Sequence, residues 1–296
     1  MTTTVFAKCV SFKRELRVNL VHHSLYQLNS NTYIPDCIAC AKLCKNEECL
    51  SFMYTEVDQT CNTYSKQFVQ DQNTAVSTSQ MFFSKVYLDH CSDIDRGHAS
   101  GVYQITAQGQ NVPVYCDMET EDGPWIVIQK RTAGDVDFYR NWSEYKNGFG
   151  DLHGEFWIGN DNLHILTTTP RILRVELEAW EGDTGYAQYS TFQVADESQN
   201  YRLLVQGFSG NVSYDAMSPH SGAAFSTYDR DNDQYDTNCA KGCHGAWWYT
   251  ECFESSLNGG HIQYDGHEDW KGIIWWFFPV PDKYNHPIKK TKLMIR

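Results

Sequence analysis

The sequence predicts an α+β chain in two parts. Residues 1–88 read as a small disulfide-stapled unit, one helix on an antiparallel sheet. Residues 89–296 read as a larger unit of mixed short strands, few helices and long loops. Three observations carry this reading. Six of the 11 cysteines precede residue 62, a density found where a small core needs covalent support. Beyond residue 88, short runs with strand alternation dominate. The stretch from Phe225 to Gly260, FSTYDRDNDQYDTNCAKGCHGAWWYTECFESSLNGG, packs alternating acids, cysteines and an aromatic run into one loop segment.

In the first unit, Asp36 to Lys45 suits a short helix, with Pro35 at its first position and Cys37, Cys40 and Cys44 on one face. CLSFMYT, CNTYS and SQMFFSKVYL follow as strands, and the polar run Gln70 to Gln80 as a loop. The boundary falls near Tyr87 to His90. In the second unit LRVELEAW (Leu173–Trp180) alternates as a half-buried strand, with Glu176 and Glu178 on a solvated face. GIIWWFFPV (Gly272–Val280) is too short to span a bilayer and reads as a buried strand. The terminal IKKTKLMIR reads as an edge strand whose lysines oppose aggregation. Asn141 and Asn211 head Asn-X-Ser glycosylation triplets.

Within the long loop, Asp229, Asp231, Asp233 and Asp236 crowd carboxylates together. Hard cations such as Ca²⁺ take six to eight oxygen ligands, backbone carbonyls included. The EF-hand register fails, because Gln234 and Ala240 stand where its Gly and bidentate Glu belong. A solvated acidic loop is the alternative. Cys239 and Cys252 enclose about 14 residues, where a bridge restricts the unfolded chain by roughly 3 kcal/mol. A zinc set of Cys239, Cys243, His244 and Cys252 matches no familiar spacing.

DRDNDQYDTNCA, GAWWYTEC and SSLNGG together resemble the calcium and binding segment of fibrinogen-related domains, the family of ficolins and tachylectins. GVYQI, YCDMET, WIVIQKR, DFYRNW, YKNGFG and GEFWIGN precede them in the family's order, so the resemblance covers about residues 89–296. It implies Ca²⁺ held by the Asp231 and Asp233 carboxylates and the carbonyls of Tyr235 and Thr237. It also implies bridges Cys91–Cys116 and Cys239–Cys252, and a cis peptide at Glu251–Cys252. The family's acetyl-binding funnel maps onto Cys243, Phe253, Asp269, Trp270 and Tyr284. Phe253 stands where the family has His, and Cys243 where it has an aromatic, so the location transfers while the chemistry differs. Trp247 and Trp248 read as packing residues; Phe253 and Trp270 lean toward ligand contact.

Residues 5 to 88 resemble the PAN/apple module. That implies Cys40–Cys61 and Cys44–Cys49, with Cys9 and Cys37 as the remaining pair among fifteen possible connectivities. Cys243 is then left over, read as a buried free thiol rather than an interchain link.

A net charge of −13 argues against nucleic acid or an anionic membrane as the main partner. The cysteine count indicates an oxidising, extracellular setting, although MTTTVFAKCV shows no signal-peptide h-region. No G-x-S-x-G, H-E-x-x-H or phosphate loop is present, and His153, His164 and His267 have no motif around them, so no enzyme is expected. The reading is a secreted, Ca²⁺-dependent lectin-like protein for acetylated or other glycans on cell or microbial surfaces, with a protein partner at the apple unit. A peptide-binding module of matrix, venom or coagulation-like assembly is the alternative.

Overall fold

The computed structural model describes residues 27–31, 51–55, 60–64, 80–84, 88–94, 98–263, 270–282 and 284–296, the first four segments as backbone strands. The chain divides into two compact units, Met1–Tyr87 and Leu88–Arg296. In the first, β1 (Gln27–Asn31), β2 (Ser51–Thr55), β3 (Thr60–Tyr64) and β4 (Gln80–Ser84) form an antiparallel sheet in the order β1-β3-β2-β4. β1 had no counterpart among the expected strands. Buried Cys61, on β3, is disulfide-bonded to a partner outside the described residues. The expected helix, the Gln70–Gln80 loop up to residue 79, and Cys9, Cys37, Cys40, Cys44 and Cys49 also lie outside them.

The second unit is built on one antiparallel sheet. Its strands are β5 (Gly101–Ala107), β6 (Gln110–Asp117), β7 (Trp125–Arg131), β10 (Arg171–Glu178), β11 (Thr184–Val194), β12 (Leu203–Gly210) and β15 (Lys290–Ile295). They run in the order β12-β11-β10-β15-β7-β6-β5. A two-residue ribbon of β8 (Phe149–Gly150) and β9 (Phe156–Trp157) adds to β7. WIVIQKR buries every residue but Lys130, as a strand covered on both faces does. On β10 Leu173, Val175 and Leu177 are buried in the core, while Glu176 and Glu178 are partly exposed on the opposite face, where Arg174 is buried as well.

β15 corrects the edge-strand expectation, since it lies between β10 and β7. Its lysines answer neighbouring carboxylates: Lys290 pairs with Glu178 at 2.8 Å, and Lys292 with Glu176 at 2.9 Å and Asp117 at 2.7 Å. Glu176 and Glu178 are therefore ion-paired rather than merely solvated. Gly272–Val280 is likewise corrected. Only β14 (Ile274–Trp275) is strand, paired with β13 (Ser255–Ser256), and the chain turns at Phe277, whose φ is +60°.

Asp117 supplies one prediction. Burial alone would raise its pKa, but Lys292 and the N–H groups of Thr120 and Glu119 outweigh burial and hold it at about 2. Its stabilising effect is complete above the unfolded carboxylate pKa and fades as pH falls from about 5 toward 2. Lys292→Met is expected to cost about 1–2 kcal/mol at neutral pH and to raise the acid-unfolding midpoint. An unchanged midpoint would remove this role from the pair.

Two short helices lie against each other, α1 (Trp142–Asn147) and α2 (Asn160–Leu166), the second also against β11. Asn141 caps α1, accepting from the Glu144 N–H at 2.9 Å while Glu144 reaches back to the Asn141 N–H. The YKNGFG motif ends that helix at Gly148, where φ is +85° and a Cβ would lie 2.7 Å from the Ile158 carbonyl oxygen. The core then gathers fully buried Trp125, Trp157, Trp247, Trp248 and Trp275. Among the described residues, no helix is long and apolar enough to cross a membrane.

Candidate functional site

The acid-rich loop is held by its asparagines. The Asn232 side chain donates to the Phe225 carbonyl at 2.7 Å, and that of Asn238 to the Thr227 carbonyl at 3.0 Å. Asn238 also caps α3 (Cys239–Cys243), accepting from the Lys241 N–H. Asp229 turns away from the other acids, accepting from the Thr227 hydroxyl and from the Trp142 N–H that opens α1. Arg230 follows it outward: its guanidinium lies 3.9 Å over the Trp142 ring and donates to Asn200 at 2.6 Å.

Asp231 and Asp233 remain together, the Asp233 N–H donating to the Asp231 carboxylate at 3.3 Å. Asp233 is half-buried and accepts from the Tyr235 N–H at 3.0 Å and the Cys239 N–H at 2.9 Å. Burial pushes its carboxyl above the ordinary carboxylate range, and the Asp231 charge adds to the rise. Two adjacent hard-oxygen donors, one poorly solvated, suit a hard divalent cation, which would relieve both penalties. The carbonyls of Tyr235 and Thr237 are the further oxygens this loop offers such an ion. Among the described residues no cluster of three or more His, Cys, Asp or Glu side chains forms, so only two carboxylates would be contributed.

The stapled segment starts where Asp233 ends. Cys239–Cys252 is bridged, as is Cys91–Cys116, and the Glu251–Cys252 peptide is cis. Cys243 is a buried free thiol, and burial, then the Asp233 charge, push its pKa to about 12. It is neither nucleophile nor bridge at neutral pH.

The expected pocket residues among those described present an aromatic shelf, two ring groups around exposed Trp270 and exposed Tyr284. Phe253 is only 6% exposed and packs between Tyr249 and the edge of Trp270, whose ring centroid is 5.7 Å away. Trp270 and Tyr284 are 43% and 46% exposed. Half-buried Trp276 and Phe277 lie against Tyr284 at 5.7 and 6.0 Å, and Tyr214 packs on Phe277. Phe253 is thus largely covered by its aromatic neighbours. Asp269 lies outside the described residues. A cavity of about 410 Å³ is lined by none of these side chains.

Buried His220, which carries no motif, ties this region together. Its Nδ1 donates to the Trp248 carbonyl at 2.8 Å, and its Nε2 accepts from the N–H groups of Glu254 and Ser255 at 3.2 and 3.1 Å. Gln129 and Arg131 of β7 bind the carbonyls of Leu257 and Gly259, which fixes the SSLNGG turn to the sheet.

Residues 87–296 match the family described as the C-terminal globular domain of fibrinogen beta and gamma chains. The chain belongs to this family. Its fibrinogen-related domain is 43% identical over 199 residues to human ficolin-3, covering 67% of this chain and 66% of that protein. Human angiopoietin-related protein 7 is 33% identical over 302 residues, covering 98% of this chain and 86% of the relative. Against ficolin-3 and mouse angiopoietin-related protein 7 the match spans only 66% and 59% of the relative's length. Among solved structures, the fibrinogen-like globe domain of human ANGPTL2 matches with a TM-score of 0.65 at 36% identity, over 71% of this chain and 99% of that one. The lamprey fibrin D-dimer, solved with the peptide ligand Gly-His-Arg-Pro-amide, matches at 0.61 and 31%, over 72% and 74%.

Proposed function

We propose that this fibrinogen-related domain is a secreted, non-enzymatic recognition module, with calcium in the Asp231–Asp233 loop organising an adjacent shelf for acetylated or other surface glycans. One observation carries the reading. The half-buried Asp233 carboxylate accepts the N–H of Cys239, the first residue of the stapled segment, so fixing the acid also fixes that segment. Calcium supplies charge neutralisation and rigidity, and this chain's own residues do the rest. Trp270 and Tyr284 offer ring faces to the apolar side of a sugar or an acetyl methyl. The apple-like unit would add a protein contact.

A peptide-binding reading draws on the lamprey fibrin relative. The exposed aromatics favour the glycan, and the Glu254 carboxylate beside Phe253 already accepts from the Tyr214 hydroxyl at 2.6 Å.

The test is twofold. Calcium at about a hundred times its Kd is expected to stabilise the domain by about 2.7 kcal/mol, and Asp233→Asn to abolish that gain. Capture on an N-acetylated resin is expected to fail in EDTA and with Asp233→Asn. Capture that persists unchanged in EDTA would overturn the calcium-coupled reading, and an equal calcium shift in the variant would remove the site.

A further inference from the structure

We propose a second ligand site, an anion-binding groove for acidic saccharides on the outer face of the sheet, built around Arg174, Lys130 and Tyr186. It is the cavity of about 410 Å³ formed where β7, β15, β10 and β11 run side by side, within the ordinary size range of small-ligand clefts. It shares no residue with the calcium loop or the aromatic shelf.

Strand register sets its chemistry. Lys130, Lys292, Glu176 and Tyr186 occupy one cross-strand row, each opposite the next. Lys130 and Lys292 therefore face each other directly, an arrangement of like charges that disfavours the sheet unless an anion offsets it. Lys292 is answered by Asp117 and Glu176, but Lys130 has no ion pair among the described residues. Its ammonium lies 5.4 Å from the centre of the Tyr115 ring.

Arg174 is the second element. Its side chain is 8% exposed, its guanidinium stacks on Tyr186 at 4.0 Å, and its Nε reaches Glu176 at 3.2 Å. Glu176 is thus shared by two cations, and the terminal nitrogens of Arg174 have no hydrogen-bond partner among the described residues. A guanidinium held flat by an aromatic ring, with its terminal donors unused, is shaped for a carboxylate or sulfate. Around this cationic centre the walls are neutral or internally paired: Thr184 and Asn211 line it, and Lys290 is matched to Glu178. Such walls offer both donors and acceptors to hydroxyl groups. Together they select a sugar carrying an acidic group, even though the whole chain is strongly acidic.

The experiment titrates enzymatically deglycosylated protein, since the Asn211 triplet stands on the rim, with three probes in EDTA. These are a heparin-type sulfated hexasaccharide, a hyaluronan hexasaccharide bearing carboxylates only, and uncharged maltohexaose. At least one acidic probe is expected to bind, more weakly as salt rises, and the neutral one not at all. Lys130→Glu and Arg174→Gln are each expected to weaken binding about tenfold or more. Lys130 is a partly exposed surface residue, so its variant decides the matter if Arg174→Gln fails to fold. Preference between the acidic probes assigns the group that Arg174 receives. Undiminished binding by folded Lys130→Glu, equal binding of maltohexaose, or no binding of either acidic probe at millimolar concentration overturns the proposal. Binding in EDTA keeps this result independent of the calcium reading.

Discussion

Replacing Trp248 by alanine is expected to destabilise the fibrinogen-related domain by about 3–5 kcal/mol, the range for removing a large buried aromatic. The indole is fully buried, with Trp247 at 5.0 Å, Phe225 at 5.2 Å, Trp157 at 6.2 Å and Phe192 at 6.4 Å between ring centres. Those rings come from the sheet, the ribbon and the long loop, so no single element can relax into the void. The indole N–H also donates to the Tyr201 carbonyl at 2.7 Å, which would be left buried without its partner. Trp248→Phe should recover most of the packing but not this bond, for a loss smaller by about half. Urea unfolding followed by tryptophan fluorescence reads this unit alone, because all 9 tryptophans lie beyond residue 88. An alanine variant with the wild-type midpoint would show that the aromatic cluster is not the centre of the core.

Features with a local cause were legible in the sequence. The alternation of LRVELEAW gave a strand and its faces, and Trp247 and Trp248 pack as read. Asp231 and Asp233 lie together because the Asp231 carboxylate accepts from the N–H two residues on, a local turn, whereas Asp229 was drawn off by the Trp142 N–H, far away in sequence. The terminal strand was misplaced for a related reason. Lysines on a strand signal an edge only when no carboxylate faces them, and Glu176, Glu178 and Asp117 come from other strands. Phe253 gave no sign of its burial, which depends on Tyr249 and Trp270 closing over it. The outer groove was equally hidden, since it arises from the register of four strands drawn from both ends of the unit. What local pattern cannot carry is the identity of a long-range partner.

His220 shows this best, and its titration is the second large effect. Burial lowers its pKa to about 4, with the Trp248 carbonyl and Asp215 only partly opposing the fall. The hydrogen bonds explain why protonation is so unfavourable. Nε2 accepts from two backbone N–H groups, and a proton there would set three N–H groups against one another. In the unfolded chain His220 takes up its proton near pH 6.5, so between about 6.5 and 4 the unfolded state binds more protons. The contribution is therefore complete above pH 6.5 and is lost as pH falls toward 4, roughly 3 kcal/mol in all. Urea unfolding at several pH values in that window should show it. His220→Asn is expected to lower stability at neutral pH while flattening the dependence between pH 6.5 and 5, where ordinary carboxylates titrate little. Because His220 binds the N–H groups of Glu254 and Ser255, the same acidification is expected to loosen that segment before the sheet unfolds. A slope in that window unchanged by the substitution would mean that another group governs acid sensitivity.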